Sequence, residues 1–238
     1  MKTIGLVGGI GWASTAEYYR LINELVGERL GLSHSARIIL FSLDQFDFTS
    51  RAAQDDPAAI EDFLVAEGMR LKAAGADFFL FCANGVHRFA DRLLPRIDLP
   101  FLSIVEETAQ RVRASQLKKV GLLGVKQTMA GRFYHDRLAA YGVDTLTPSP
   151  SDQDLIHEII YTELVHNRIT DASRAIFVRI IGELQRAGAG GVILGCTEIP
   201  LLIGAHDVDL PIFNTTGIHC EAAVALALGS VRPDFLPI

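Results

Sequence analysis

Cysteine is scarce in this sequence. Cys82, Cys196 and Cys220 are the three in 238 residues, too few and too scattered for a disulfide framework, which points to a reducing compartment. The cysteines and histidines lack the short paired spacing of a zinc site, so no metal is implied. Long apolar runs are missing too. Although 49% of the residues are hydrophobic, no run approaches the roughly 18 residues of a transmembrane helix. Met1-Lys2-Thr3 leads straight into a strand-like segment, which predicts that no signal peptide is present. There is no block of one sign of charge, and a net charge of −6 disfavours nucleic-acid binding. These absences predict a soluble, cytoplasmic protein of enzyme size with neither a membrane nor a nucleic-acid partner.

What the chain does contain is an internal duplication. Ala74-Gly75-Ala76-Asp77 followed by Phe78–Asn84 runs parallel to Ala187-Gly188-Ala189-Gly190 followed by Gly191–Thr197. Thr3-Ile4-Gly5-Leu6-Val7-Gly8 resembles Lys119-Val120-Gly121-Leu122-Leu123-Gly124, and Asp98-Leu99-Pro100-Phe101 resembles Asp209-Leu210-Pro211-Ile212. The three blocks keep one order at offsets of 116, 113 and 111 residues, a drift that short loop insertions explain. Two related halves facing each other would form one cleft between the carboxyl ends of two sheets, where open α/β sheets place ligands.

Short β-like runs alternate with longer helix-like ones, the pattern of βαβ units and a parallel sheet. Strands are predicted over 3–7, 37–41, 78–81, 101–104, 120–123, 144–146, 191–194 and 212–213. Helices are predicted over 15–30, 58–74, 106–115, 131–141, 153–166, 171–187 and 217–228. Segments 33–36 and 148–152 read as loops. The fold class is therefore α/β, two pseudo-symmetric parallel-sheet domains with the site in the cleft between them. The final helical pattern is expected to pack back onto the first lobe, giving a discontinuous lobe of residues 1–112 plus 216–238 and a second of 113–215.

Cys196 is the candidate for chemistry in this fold. It follows the buried-strand run Gly191-Val192-Ile193-Leu194 within Gly195-Cys196-Thr197-Glu198, so the thiol leaves the sheet at its carboxyl end. The equivalent position in the first half is Ala83, one residue after Cys82. Gly9-Ile10-Gly11 faintly suggests a dinucleotide loop, but Ser14 stands where that motif has Gly or Ala; a tight turn with Trp12 and Ser14 near ligand fits better.

Together, Gly8-Gly9-Ile10-Gly11-Trp12-Ala13-Ser14-Thr15 with Tyr18-Tyr19, Asn84 with His87, Gly124 with Thr128-Met129, Gly195-Cys196-Thr197-Glu198-Ile199, and Phe213-Asn214-Thr215-Thr216 with Ile218-His219 resemble the aspartate/glutamate racemase family in its aspartate racemase branch. The resemblance spans nearly the whole chain. It implies racemisation of an acidic amino acid without a cofactor, by an isomerase that assembles as a homodimer and acts on a small carboxylate or amino-acid substrate. Two residues would face each other across the α-carbon, one removing a proton and the other returning one. A free thiol has a pKa of roughly 8.5, which nearby cations or helix N-termini lower, so thiol and thiolate can exchange roles near neutral pH. Cys196 fits one side of this chemistry. Thr197 and Glu198 follow at the strand-to-helix turn, and Glu198 is placed to orient the thiol or accept its proton.

The other side departs from the family pattern. Where relatives commonly read Cys-Asn-Thr or Thr-Asn-Thr followed by His, this chain reads Ala83-Asn84-Gly85-Val86-His87. Ala83 cannot carry a proton. Cys82 could replace it only through a bulge or an early turn, because adjacent strand residues point to opposite faces; the alternative is that Cys82 packs behind the sheet. The family's carboxylate-binding threonines are replaced by Gly85 and Val125, while Asn84, Thr128 and Thr197 remain. Near the family's lysine this chain has Glu163-Leu164-Val165-His166-Asn167, so His166, Arg51 or Arg168 would have to supply the cation. His87 and His219 match family positions as catalytic or structural histidines. These changes point away from plain aspartate. A racemase using Cys196, with Glu198 and Cys82 beside it, stands against a one-cysteine enzyme resembling the arylmalonate decarboxylases or a non-catalytic small-molecule binder.

Overall fold

The computed structural model describes residues 1–54 and 57–229. The described residues divide into two compact units, one of residues 1–104 and 219–229, the other of residues 105–218. Residues 230–238, expected in the first lobe, lie outside the described residues.

The first unit runs β1 (Ile4–Gly8), α1 (Trp12–Leu30), β2 (Ile38–Ser42), α2 (Gln45–Ala52), α3 (Pro57–Ala73), β3 (Phe78–Phe81), a 3-10 turn over Gly85–Phe89 and α4 (Ala90–Leu93). Its three strands are parallel in the order β2-β1-β3. β1 is buried along its whole length, as expected of a central parallel strand covered on both faces. Ile4 and Leu6 pack with Tyr18, Ile22 and Val26 of α1; Val7 packs on the opposite face with Ile60 and Leu64 of α3.

The second unit runs α5 (Ile104–Ala114), β4 (Lys119–Leu123), α6 (Lys126–Ala130), α7 (Arg132–Ala140), β5 (Asp144–Leu146), α8 (Pro150–Thr162), α9 (Asp171–Arg186), β6 (Val192–Leu194), α10 (Ile199–Leu202) and β7 (Ile212–Asn214), and α11 (Thr215–Leu228) carries the chain back into the first unit. Its parallel sheet has the order β5-β4-β6-β7. The fold is thus two parallel-sheet α/β units of matching strand order, and the sequence duplication is visible in atomic detail. At the carboxyl end of the central strand, a Cβ on Gly8 would lie 2.3 Å from a Thr15 methyl, and one on Gly124 would lie 3.1 Å from that of Thr128. The repeated glycine lets a threonine of the following helix close over the strand end in both units.

Three expectations are corrected. The strand over 101–104 is reduced to a single bridge, Phe79 to Phe101, because α5 begins at Ile104 and takes the backbone out of the sheet. Residues 150–152 are not loop but the first turn of α8, with Pro150 at its first position and the Ser149 hydroxyl accepting from the Asp152 N–H. The first crossing between units falls at 104/105 rather than 112/113. The reason is that α5 is fastened to α7: Tyr141 donates to Glu106, and Arg137 pairs with the same carboxylate at 3.1 Å. The return crossing falls at 218/219, within α11.

Candidate active site

In the second unit, the end of β6 is held from both neighbouring strands. The Gly195 N–H donates to the Leu123 carbonyl at 2.7 Å, and the Thr215 hydroxyl donates to the Leu194 carbonyl at 2.9 Å. A Cβ on Gly195 would come within 2.9 Å of the Leu123 carbonyl, so a glycine is required immediately before the cysteine. Cys196 is half-buried, with one side against the apolar core of this unit. Its thiol donates to Glu198 Oε2 at 2.9 Å, and the Thr197 hydroxyl donates to the same oxygen at 2.9 Å. Backbone N–H groups of Glu198 and Thr197 are directed at the sulfur.

This arrangement reverses one expectation. A thiol pKa lowered by cations or a helix N-terminus was anticipated; instead burial, and then the negative charge of Glu198, hold the Cys196 thiol well above its ordinary range. The two N–H groups pull the other way but do not prevail. At rest Cys196 is a protonated acid beside a carboxylate, and its thiolate, once formed, has two backbone donors already in place.

At the ends of the strands flanking β6 lie Thr128, Val125 and Asn214. Thr128 is fully buried, and its hydroxyl has no partner among the described residues. Val125 occupies the N-cap position of α6 without a side-chain cap, where a threonine would have one to offer. Asn214 caps α11, its Oδ1 accepting from the Thr216 and Gly217 N–H groups at 3.1 and 3.2 Å. Sequence reasoning did not single out Asn214 or Thr215 as site residues. Their position at the end of β7, beside β6 in the sheet, was the available signal.

In the first unit, the Gly9 N–H donates to the Thr15 hydroxyl at 2.9 Å, closing the turn after β1. The β3 ladder continues straight through Cys82, whose N–H donates to the Val7 carbonyl at 2.9 Å. Phe78, Leu80 and Cys82 therefore share one core face, while Phe79, Phe81 and Ala83 lie on the other. No bulge intervenes. Cys82 is 1% exposed, and burial pushes its thiol up from the ordinary value, so the sequence-based place for it in the catalytic set is not supported by its position. Ala83 is partly exposed, Asn84 is buried, and a Cβ on Gly85 would meet nothing within 4 Å.

The remaining candidates are scattered. Trp12 opens α1 at 73% exposure and Ser14 is buried two residues on. His166 is exposed at the end of a 3-10 turn. Arg51 is committed to Asp47 at 2.9 Å and lies over the Phe63 ring, and Arg168 is exposed.

Twin parallel-sheet α/β units, each with a glycine–threonine closure at its central strand end and one ending in a Cys-Thr-Glu turn, define a class of protein shared with known amino-acid racemases. The sequence profile of the family described as Asp/Glu/Hydantoin racemase matches residues 7–223, and the chain belongs to that family. A crystal structure of a candidate Asp/Glu racemase from Yersinia pestis is 40% identical, covers 96% of this chain and 100% of its own, and superposes with a TM-score of 0.90. An aspartate racemase homologue from Pyrococcus horikoshii OT3 is 30% identical over 96% of this chain and 100% of its own, with a TM-score of 0.86. The broad specificity amino-acid racemase RacX of Bacillus subtilis is 20% identical over 94% of this chain and 98% of its own. No helix among the described residues is long and apolar enough to cross a membrane.

Proposed function

We propose that this chain is a cofactor-independent amino-acid racemase or epimerase that moves a proton at the α-carbon of an acidic or related amino acid through the Cys196 thiol. The observation that carries the reading is the 2.9 Å hydrogen bond from the Cys196 thiol to Glu198, with two backbone N–H groups aimed at the same sulfur. Solvent water on the other face of the α-carbon takes its proton, and Cys196 donates its own proton to the resulting α-carbanion, leaving a thiolate supported by those N–H groups. In the reverse direction the thiolate takes the α-proton, and Glu198 exchanges protons with the thiol between turnovers. Thr128, Thr197 and Asn84 bind the substrate carboxylate. With Gly85, Val125 and His166 in place of the family's threonines and lysine, the preferred substrate is a relative of aspartate rather than aspartate itself.

A second reading is favoured by Cys82. Its burial leaves the first unit without a thiol at Ala83, the arrangement expected of a one-cysteine enzyme that protonates a carbanion on one face only. Circular dichroism, which reads inversion, beside NMR in deuterated water, which reads α-proton exchange, separates the two for D- and L-amino acids incubated with the protein. Inversion from both enantiomers supports the racemase; proton exchange without inversion supports the one-face enzyme; neither process for any amino acid tested contradicts both.

A further inference from the structure

The first unit buries two histidines that the reaction above does not use. His87 sits in the turn after β3 and His219 in α11, with ring centroids 6.0 Å apart. Backbone partners fix the tautomer of each. The Ile104 N–H can only donate, so His87 Nε2 accepts it at 3.3 Å, and the His87 proton resides on Nδ1, which donates to the Ala83 carbonyl at 3.0 Å. The Leu102 carbonyl can only accept, so His219 Nε2 carries its proton at 3.1 Å, and His219 Nδ1 accepts from the Tyr18 hydroxyl at 2.8 Å. The two rings thereby hold residues 102 and 104, on either side of Ser103, while one of them reaches back to the residue that precedes Asn84. Burial keeps both rings neutral, His87 near 4 and His219 near 3.

We propose that His87 is a positioning residue: by donating to the Ala83 carbonyl it sets the Ala83–Asn84 peptide that binds substrate, and His219 with Tyr18 holds the 102–104 segment on which His87 is registered. A trans peptide is planar, so pinning the Ala83 oxygen also pins the Asn84 N–H on the opposite edge and the direction in which the Asn84 side chain leaves the turn. The role assigned to Asn84 rests on the racemase reading above; the geometry that orients it does not.

Two replacements separate positioning from mere support. In His87→Asn the carboxamide nitrogen occupies the place of Nδ1 and keeps the donor to Ala83; in His87→Gln the amide reaches toward the Nε2 place and keeps only the Ile104 side. A purely structural role lowers the folded fraction, which reduces apparent kcat at unchanged KM. Positioning instead raises KM about tenfold in His87→Gln and less than about threefold in His87→Asn, because a misplaced peptide loses binding shared by ground and transition states. In parallel, nitrogen–proton NMR should show the Asn84 amide displaced in His87→Gln and retained in His87→Asn, whether or not the protein turns anything over. An unmoved Asn84 amide and KM in a folded His87→Gln variant would overturn the proposal. Should that variant not fold, imidazole nitrogen NMR of the wild type decides: a proton on His87 Nε2 rather than Nδ1 overturns it, and one on Nδ1 supports it. Amide shifts that follow the donor in a protein that racemises nothing would leave the positioning intact and remove the racemase reading instead.

Discussion

Cys196 and Glu198 form an acid–base pair in which the thiol donates and the carboxylate accepts, and the carboxylate's charge is one of the two main reasons the thiol holds its proton. Replacing Glu198 by Gln removes that charge while keeping an oxygen acceptor. The rate profile for alkylation of Cys196 by iodoacetamide should therefore shift to lower pH in Glu198→Gln; a shift upward, or none, would show that the pair is not coupled in this sense. Cys82 and Cys220 are both buried and should not contribute to that profile in the folded protein. At Ala83, the counterpart of Cys196 in the duplicated sequence, replacement by Thr or Cys installs a side chain able to carry a proton. If one face of the α-carbon is unserved, either replacement should raise inversion more than exchange; equal gains in both would mean the missing group is already supplied. The choice between Cys82 and Ala83 was posed by the sequence but not answered by it. Period-two alternation left both outcomes open until the unbroken ladder from Phe78 through Cys82 removed the bulge.

Among the elements, the central strands and long helices were legible because their apolar residues recur at clear spacings. β3 and β5 match their predicted bounds, and the other strands that form agree to within one residue at each end. The short helices α2, α4, α6 and α10 carry too few turns to show a period, and so did not appear. The turn after β1 was read correctly as tight, and the reason is geometric. Gly9 has φ +84°, and a Cβ there would lie 2.0 Å from the Leu43 carbonyl. Gly9→Ala should accordingly cost about 2 kcal/mol or more in chemical denaturation, whereas Gly85→Ala, whose Cβ meets open space, should change stability by no more than about 0.5 kcal/mol. A similar loss in both would contradict the packing described. The same openness makes Gly85→Thr a clean test of substrate preference: it should lower KM for aspartate with little change in kcat.

At the scale of the whole molecule, the duplication read from the sequence and the paired sheet orders β2-β1-β3 and β5-β4-β6-β7 describe one architecture. The buried histidines give it a pH signature. His87 is held near 4 and His219 near 3, against an ordinary value of 6.5, so below pH 6.5 the unfolded chain takes up protons that the folded chain refuses. Their stabilisation is present above pH 6.5 and is lost as the pH falls toward 4, a change of order 3 kcal/mol for His87 alone. The thermal midpoint should fall across that window, and fall less in His87→Asn. Asp152, held low first by Arg179, and Asp207, held low first by the Gly204 N–H, act below their ordinary 3.8 and so add their loss at lower pH. The central claim, that Cys196 moves the α-proton of an amino acid, is met most directly by NMR of amino acids incubated in deuterated water with the wild type and with Cys196→Ser. The account predicts deuterium at the α-carbon of at least one acidic or related amino acid with the wild type and none with the variant at unchanged thermal stability. Equal incorporation by both proteins, or none by the wild type across a full panel of D- and L-amino acids, would contradict it.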